Sequence, residues 1–125
     1  MLGCDAGWMT EVVGPRRELE RTRDGDGPGA DQARIALSGG ASADRVRAAI
    51  LALATGRGAS SSTCPSDAAR AVADDWRPLL PLARQLTRDL ARTGAVRVTQ
   101  RGTALDPGAD WRGPIRIHLP AAADG

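Results

Sequence analysis

Two side-chain stripes on one segment do most to constrain the fold of this chain. With residues set at 100° intervals, Leu79, Leu82, Ala83, Leu86 and Leu90 fall on one side of a helix predicted from about Trp76 to Thr93. Arg77, Arg84, Arg88 and Arg92 fall on the opposite side. A cylinder divided in this way seats its leucines against a core and turns its guanidiniums outward. Gly94 suits the left-handed position that ends a helix. Pro78 and Pro81 are tolerated only in a first turn or at a kink, so they blur its start.

The flanking segments supply what such a helix packs against. Ser42 is a good N-cap, and Asp44 complements the positive end of the helix that follows. Val46, Ala49, Ile50 and Leu53 form its apolar stripe, and Gly56 and Gly58 close it. Thr63-Cys64-Pro65-Ser66-Asp67 opens a second, shorter helix with Ala69, Val72 and Ala73 inward. The chain then alternates. Val96 and Val98 share one strand face, with Arg97 and Thr99 on the other. Ile115, Ile117 and Leu119 repeat the pattern, with Arg116 and His118 facing away. The intervening RGTALDPGADWRG is too long for a tight turn and is expected as an extended loop. Helices first and strands last predict an α+β, mainly α fold: a winged helix-turn-helix, three helices followed by a β-hairpin wing, over residues 42–120.

Residues 1–41 differ in chemistry. They hold five Arg against seven acids, whereas residues 42–125 hold twelve Arg against eight acids. The run DGDGPGADQARIALSGG, from Asp24 to Gly40, buries too little apolar surface to offset its ordering entropy. Glu11 to Arg23 suits a short charged helix with too few apolar positions for a core face. Residues 1–41 are therefore expected to be a flexible or disordered N-terminal segment, and 121–125 a tail. Met9 offers an alternative start.

Chemistry-bearing constellations are sparse. The 125 residues allow one small domain, and no run of about 20 apolar residues is available to span a membrane. The first residues lack a secretory pattern, so the chain is expected to be cytoplasmic with reduced thiols. Cys4 and Cys64 have no second Cys or His at metal-ligand spacing, so no metal site and no cofactor is expected. Cys64 suits a small buried residue beside a helix start. The only histidine is His118, and the Asp74-Asp75 pair suits a cap before the third helix. Ser60, Ser61 and Ser62 have no base placed by any motif, and no Gly-Lys-Ser/Thr phosphate loop exists. The chain is not expected to be an enzyme.

All seventeen basic residues are arginine. A bias toward Ala, Gly, Arg, Asp and Pro accounts for the missing lysine through a GC-rich coding sequence, so the arginines alone are a weak signal. Their placement says more. Arg77, Arg84, Arg88 and Arg92 occupy the core-remote face of the helix that enters the major groove in a helix-turn-helix. Arg97, Arg101, Arg112 and Arg116 belong to the hairpin, where a wing tracks the backbone. The expected DNA-binding set is Arg77, Arg84, Arg88, Arg92, Arg101 and Arg112, with double-stranded DNA as partner. The alternative is a protein-interaction or homodimerisation module using the same faces. No membrane partner or small-molecule substrate is evident. Trp76 is expected to anchor the core. Trp111 is structural if it packs back on the hairpin and a contact residue if exposed.

TCPSDAARAV, DDWRPLLPLARQL, LARTGAVRVTQRG and RGPIRIHL occur in order. Together they resemble the bacterial domain-of-unknown-function family 3253 over roughly residues 43–119. The sharpest parts are Cys64-Pro65-Ser66, Trp76-Arg77, Val98-Thr99-Gln100-Arg101-Gly102 and Gly113-Pro114-Ile115-Arg116. The resemblance implies a small winged-helix domain and no established activity. Some relatives carry an N-terminal cysteine-rich, zinc-knuckle-like segment. Here Cys4 is the only cysteine in residues 1–41, a departure from that pattern, so the resemblance does not carry such a metal site over to this chain.

Overall fold

The computed structural model describes residues 6–25, 27–40, 42–58 and 61–120, with side chains from Gly14 onward. Five helices precede a small sheet: α1 (Ala6–Gly25), α2 (Ala30–Ala36), α3 (Ser42–Arg57), α4 (Pro65–Val72) and α5 (Leu80–Thr93). A 3-10 turn, Arg77–Leu79, leads into α5. The strands are β1 (Arg97–Gln100), β2 (Thr103–Ala104) and β3 (Arg116–His118).

The trihelical core follows the apolar pattern. Val46, Ala49, Ile50 and Leu53 of α3 are all fully buried. Ala48, Ala52 and Ala54 are buried as well, because α3 is central and packs against the other four helices. Alanine on its remaining faces lets those neighbours approach closely. Pro65 occupies the first turn of α4, where its missing N–H removes no helical bond. Ala68, Ala69, Ala71 and Val72 face inward from that helix. In α5, Ala83, Leu86, Thr87 and Leu90 are buried, and the helix ends at Gly94 as expected. The Thr87 hydroxyl donates to the Ala83 carbonyl one turn back, so its polar atom is satisfied inside the core.

The sheet order is β2-β1-β3, with both pairs antiparallel. Val98 lies opposite Ile117, and both are buried. Thr63, just before α4, adds a further rung: its N–H donates to the Ile117 carbonyl at 2.9 Å, and the Ile117 N–H donates back at 2.7 Å. The strand rung before α4, α5 and the strands after it make residues 42–120 a winged helix. Val96 and Ile117 enter the main core, while Val98, Trp111 and Ile115 form a second cluster under the wing.

Two expectations are corrected here. The first concerns the loop after β1. The chain turns at once through Arg101 and Gly102, with φ of 53° and 83°, and pairs Gln100 with Thr103. Two consecutive positive φ values make the turn that matches strand twist in a two-residue hairpin. The extended excursion begins only after β2. It crosses α5 and returns as β3 on the other edge of β1.

The second concerns residues 1–41. Where a flexible segment is expected, α1 and α2 pack onto the core. Leu19, Ala33 and Ala36 are fully buried and Ala30 nearly so. α1 comprises two helical pieces meeting at Gly14, where φ is 27°, and Pro15 opens the second. The apolar face is indeed thin, but polar links replace it. Arg16 Nε donates to the Ala71 carbonyl and Arg45 Nε to the Ala36 carbonyl. Gly29 takes φ 87° against the Thr22 and Thr55 methyl groups, so the glycine-rich run is a turn with a conformational requirement. The expected tail, 121–125, lies outside the described residues.

Candidate nucleic-acid interface

The α5 arginine stripe points away from the core, yet its two central members do not face open solvent. Arg84 donates from Nη2 to the Trp111 carbonyl at 3.1 Å and from Nη1 to the Gly113 carbonyl at 3.2 Å. Arg88 donates from Nη1 to the Pro107 carbonyl and to the Ala109 carbonyl, the latter at 2.7 Å. Its guanidinium also stacks over the Trp111 ring, 4.3 Å from the centroid. The Trp111 indole N–H donates to the Asp106 carbonyl at 2.9 Å, and the residue is 8% exposed. Residues 105–115 are thus folded onto the helix, and Trp111 is structural. Its ring gives Arg84 and Arg88 a set of main-chain carbonyls to hold.

The outer members of the stripe stay open. Arg77 is exposed and lies 4.9 Å from the Trp76 centroid. Trp76 itself is half-buried between Arg70 and Arg77 and outside the core clusters, so it is not the anchor expected. Arg92 is 4.0 Å from Asp89 with more than half of its side chain exposed. Arg77 and Arg92 are separated by roughly 20 Å along the helix axis. Between them, Gln85 Nε2 donates to Asp89 Oδ1, so the exposed strip of α5 carries mixed polarity.

The wing gathers its guanidiniums more tightly. Arg101, Arg112 and Arg116, with Gln100, Gly113 and Pro114, line one concavity of about 440 Å³. Gln100 Nε2 braces its floor by donating to the Arg112 and Pro114 carbonyls. Arg116 is held by the Ser62 hydroxyl at 2.9 Å and the Ser62 carbonyl at 3.1 Å. Among the described residues, only Asp110 places a carboxylate within 4.0 Å of any of the three, 3.1 Å from Arg112. Gln100 had no place in the expected site, and Arg116 was expected on the wing but not in the DNA-binding set. The signal that could have found them is the Arg101-Gly102 pair read as a two-residue turn.

The same face of the sheet carries Arg97 and His118 beside Arg116. Burial holds the His118 imidazole below its ordinary pKa, and Arg97 and Arg116 add to that, while a hydrogen bond to the Ser61 backbone opposes it. The Thr99 hydroxyl sits 2.8 Å from His118 Nε2. Asp74 does not cap the third helix; it pairs with Arg16 at 3.0 Å. Cys64 is only partly buried, with its thiol 3.1 Å from the Ser66 hydroxyl. No described helix is long and apolar enough to cross a membrane. No group of three or more His, Cys, Asp or Glu converges among the described residues in a way that could hold a metal ion.

No curated protein matches the chain. The family whose description reads "Protein of unknown function (DUF3253)" matches residues 43–120. That span coincides with the winged helix and covers more than half of the sequence, and on this ground the chain belongs to the DUF3253 family.

Proposed function

We propose that the domain binds duplex DNA chiefly through its wing, with the open ends of α5 as flanking contacts. One observation carries this reading: Arg101, Arg112 and Arg116 line a single concavity and, among the described residues, one carboxylate lies within 4.0 Å of them. Guanidiniums left without acids gain most from phosphate, which each can grip with two parallel N–H donors. A winged helix brings such a wing alongside the duplex as its third helix approaches the groove. Arg84 and Arg88 support the reading indirectly, by fixing the loop that carries Arg112.

Fluorescence anisotropy with mixed-sequence duplex DNA across a salt series tests it. With three to four phosphates neutralised, the logarithmic salt slope is expected at about −2.7 to −3.6, at roughly −0.9 per phosphate. The double change Arg101→Glu, Arg112→Glu should remove most binding while leaving the circular dichroism spectrum intact. Wild-type protein that shows no salt-dependent binding at low ionic strength would refute the proposal and leave protein–protein contact as the use of these faces.

A further inference from the structure

A second cavity shares Gly113, Pro114 and Arg116 with the wing concavity, but what it could hold does not depend on DNA binding. It measures about 590 Å³, within the range of roughly 300–1,000 Å³ common to small-molecule sites. Cys64, Pro65 and Ser66 at the start of α4 line it together with Trp111, Gly113 and Pro114. Leu80 and Ile115 add apolar surface between them. Arg84 from α5 and Arg116 from β3 also line it. Two separate stretches, Cys64–Ser66 and Gly113–Arg116, therefore meet at one cleft although some fifty residues part them in sequence.

The charge balance of the cleft is unusual for its lining. Neither Arg84 nor Arg116 has a carboxylate within 4.0 Å among the described residues. Each uses two N–H groups on neutral oxygens: Arg84 on the Trp111 and Gly113 carbonyls, Arg116 on the Ser62 hydroxyl and carbonyl. A guanidinium has five such donors, so both keep donors for a further acceptor. Their full charges border largely apolar walls, where an anion is attracted more strongly than in open water.

We propose that this cleft binds a small organic monocarboxylate with an apolar body. The carboxylate would meet the guanidinium donors of Arg84 and Arg116, and the body would cover Pro65, Leu80, Pro114 and Ile115. A bare phosphate suits the site less well, because most of the lining offers it no donor and would strip its hydration. Cys64 and Ser66 also line the cleft, with their thiol and hydroxyl 3.1 Å apart.

The test uses the full chain and titrations followed by protein NMR, with the Trp111 indole N–H as the local reporter. The probes are benzoate, phenylacetate and hexanoate, with benzamide as the neutral counterpart of benzoate and inorganic phosphate as the second anion. Saturable shifts with at least one carboxylate are expected in the millimolar range or tighter, and benzamide should bind roughly tenfold more weakly or worse. Arg116→Gln should weaken the carboxylate by a similar factor. Because Arg84 also holds the loop, its substitution is replaced by Ser66→Phe, which fills the cleft from an edge and should abolish the shifts without lowering Tm. No saturation by any of the three carboxylates overturns the proposal. Equal binding of benzoate and benzamide, or of benzoate to wild type and Arg116→Gln, overturns the role of the guanidiniums. Phosphate binding as tightly as benzoate overturns the apolar half of the assignment. DNA binding is not read in any arm, so failure here leaves the DNA proposal standing.

Discussion

Arg57 and Arg101 mark the extremes of how one residue type serves the helical body and the wing. Arg57, at the end of α3, grips Glu18 of α1 through Nε and Nη2 at 3.0 and 2.8 Å. It also reaches Asp67 of α4 at 3.0 Å and the Ser62 carbonyl at 2.9 Å. The Glu18 hydrogen bond raises its pKa further above neutrality, against the opposing cost of burial. Arg101 is exposed at a hairpin tip and has no described carboxylate within 4.0 Å. The same contrast repeats across the molecule: Arg16 and Arg45 tie helices together, while Arg77 is exposed and, among the described residues, has no carbonyl or carboxylate partner. What decides the use is whether a carbonyl or carboxylate is presented within reach of a five-donor fork. A lysine-free chain uses arginine as its structural link and as its free charge, so charge counts alone do not separate the two.

The largest expected effect asks whether body and wing unfold as one unit. Leu53→Ala in α3 should cost about 2–5 kcal/mol, and Trp111→Ala about 3–5 kcal/mol, both by urea denaturation. Val96 and Ile117 belong to the body's core, and Ala91 packs against both clusters. A single transition is therefore expected for Trp111→Ala. A body transition left unchanged, with lost amide protection confined to residues 97–118, would break the comparison by making the wing a separate unit.

Arg57→Met comes next. It leaves Glu18 and Asp67 partly buried without their cation, at an expected cost of about 2–3 kcal/mol. Loss of protection should be greatest in residues 15–25, since this link joins α1 to α3 and α4. Equal protection of α1 in wild type and variant would show that Leu19 and Arg16 hold that helix without the Arg57 link.

These links explain what the sequence made legible and what it did not. The three helices α3, α4 and α5 were readable because each carries a local apolar stripe, and burial of Val46, Ile50, Leu86 and Leu90 follows that stripe. α1 and α2 were not, because their attachment rests on pairs such as Arg57 with Glu18 and Arg16 with Ala71, far apart in the chain. No periodicity encodes such a pair. The outward direction of Arg84 and Arg88 was readable from the wheel. That the 105–115 loop would fall on them was not, since it depends on the Trp111 ring finding Ala91, Val98 and Ile115. The tight turn was hidden by an arginine at a position that usually takes asparagine or glycine.

Arg88 sits on the boundary between the two uses, so its removal sharpens the comparison. Arg88→Ala loses the bonds to Pro107 and Ala109 and the stacking on Trp111. A cost of about 1–2 kcal/mol is expected, with faster proteolytic nicking inside residues 105–115. Unchanged nicking would place Arg88 with the free charges of the wing.

Arg101→Asn carries the smallest effect and the most discriminating sign. A left-handed φ is costly for a long side chain and well tolerated by asparagine, which with Gly102 makes the preferred two-residue hairpin turn. Stability should rise by about 0.5–1 kcal/mol. The same change removes one guanidinium from the wing concavity, so the salt slope for DNA should fall by about one unit. Higher Tm with weaker, less salt-sensitive binding would mean that this arginine is kept against the interest of the fold. Higher Tm with unaltered binding would move the DNA contact away from the hairpin tip and toward Arg112 and Arg116.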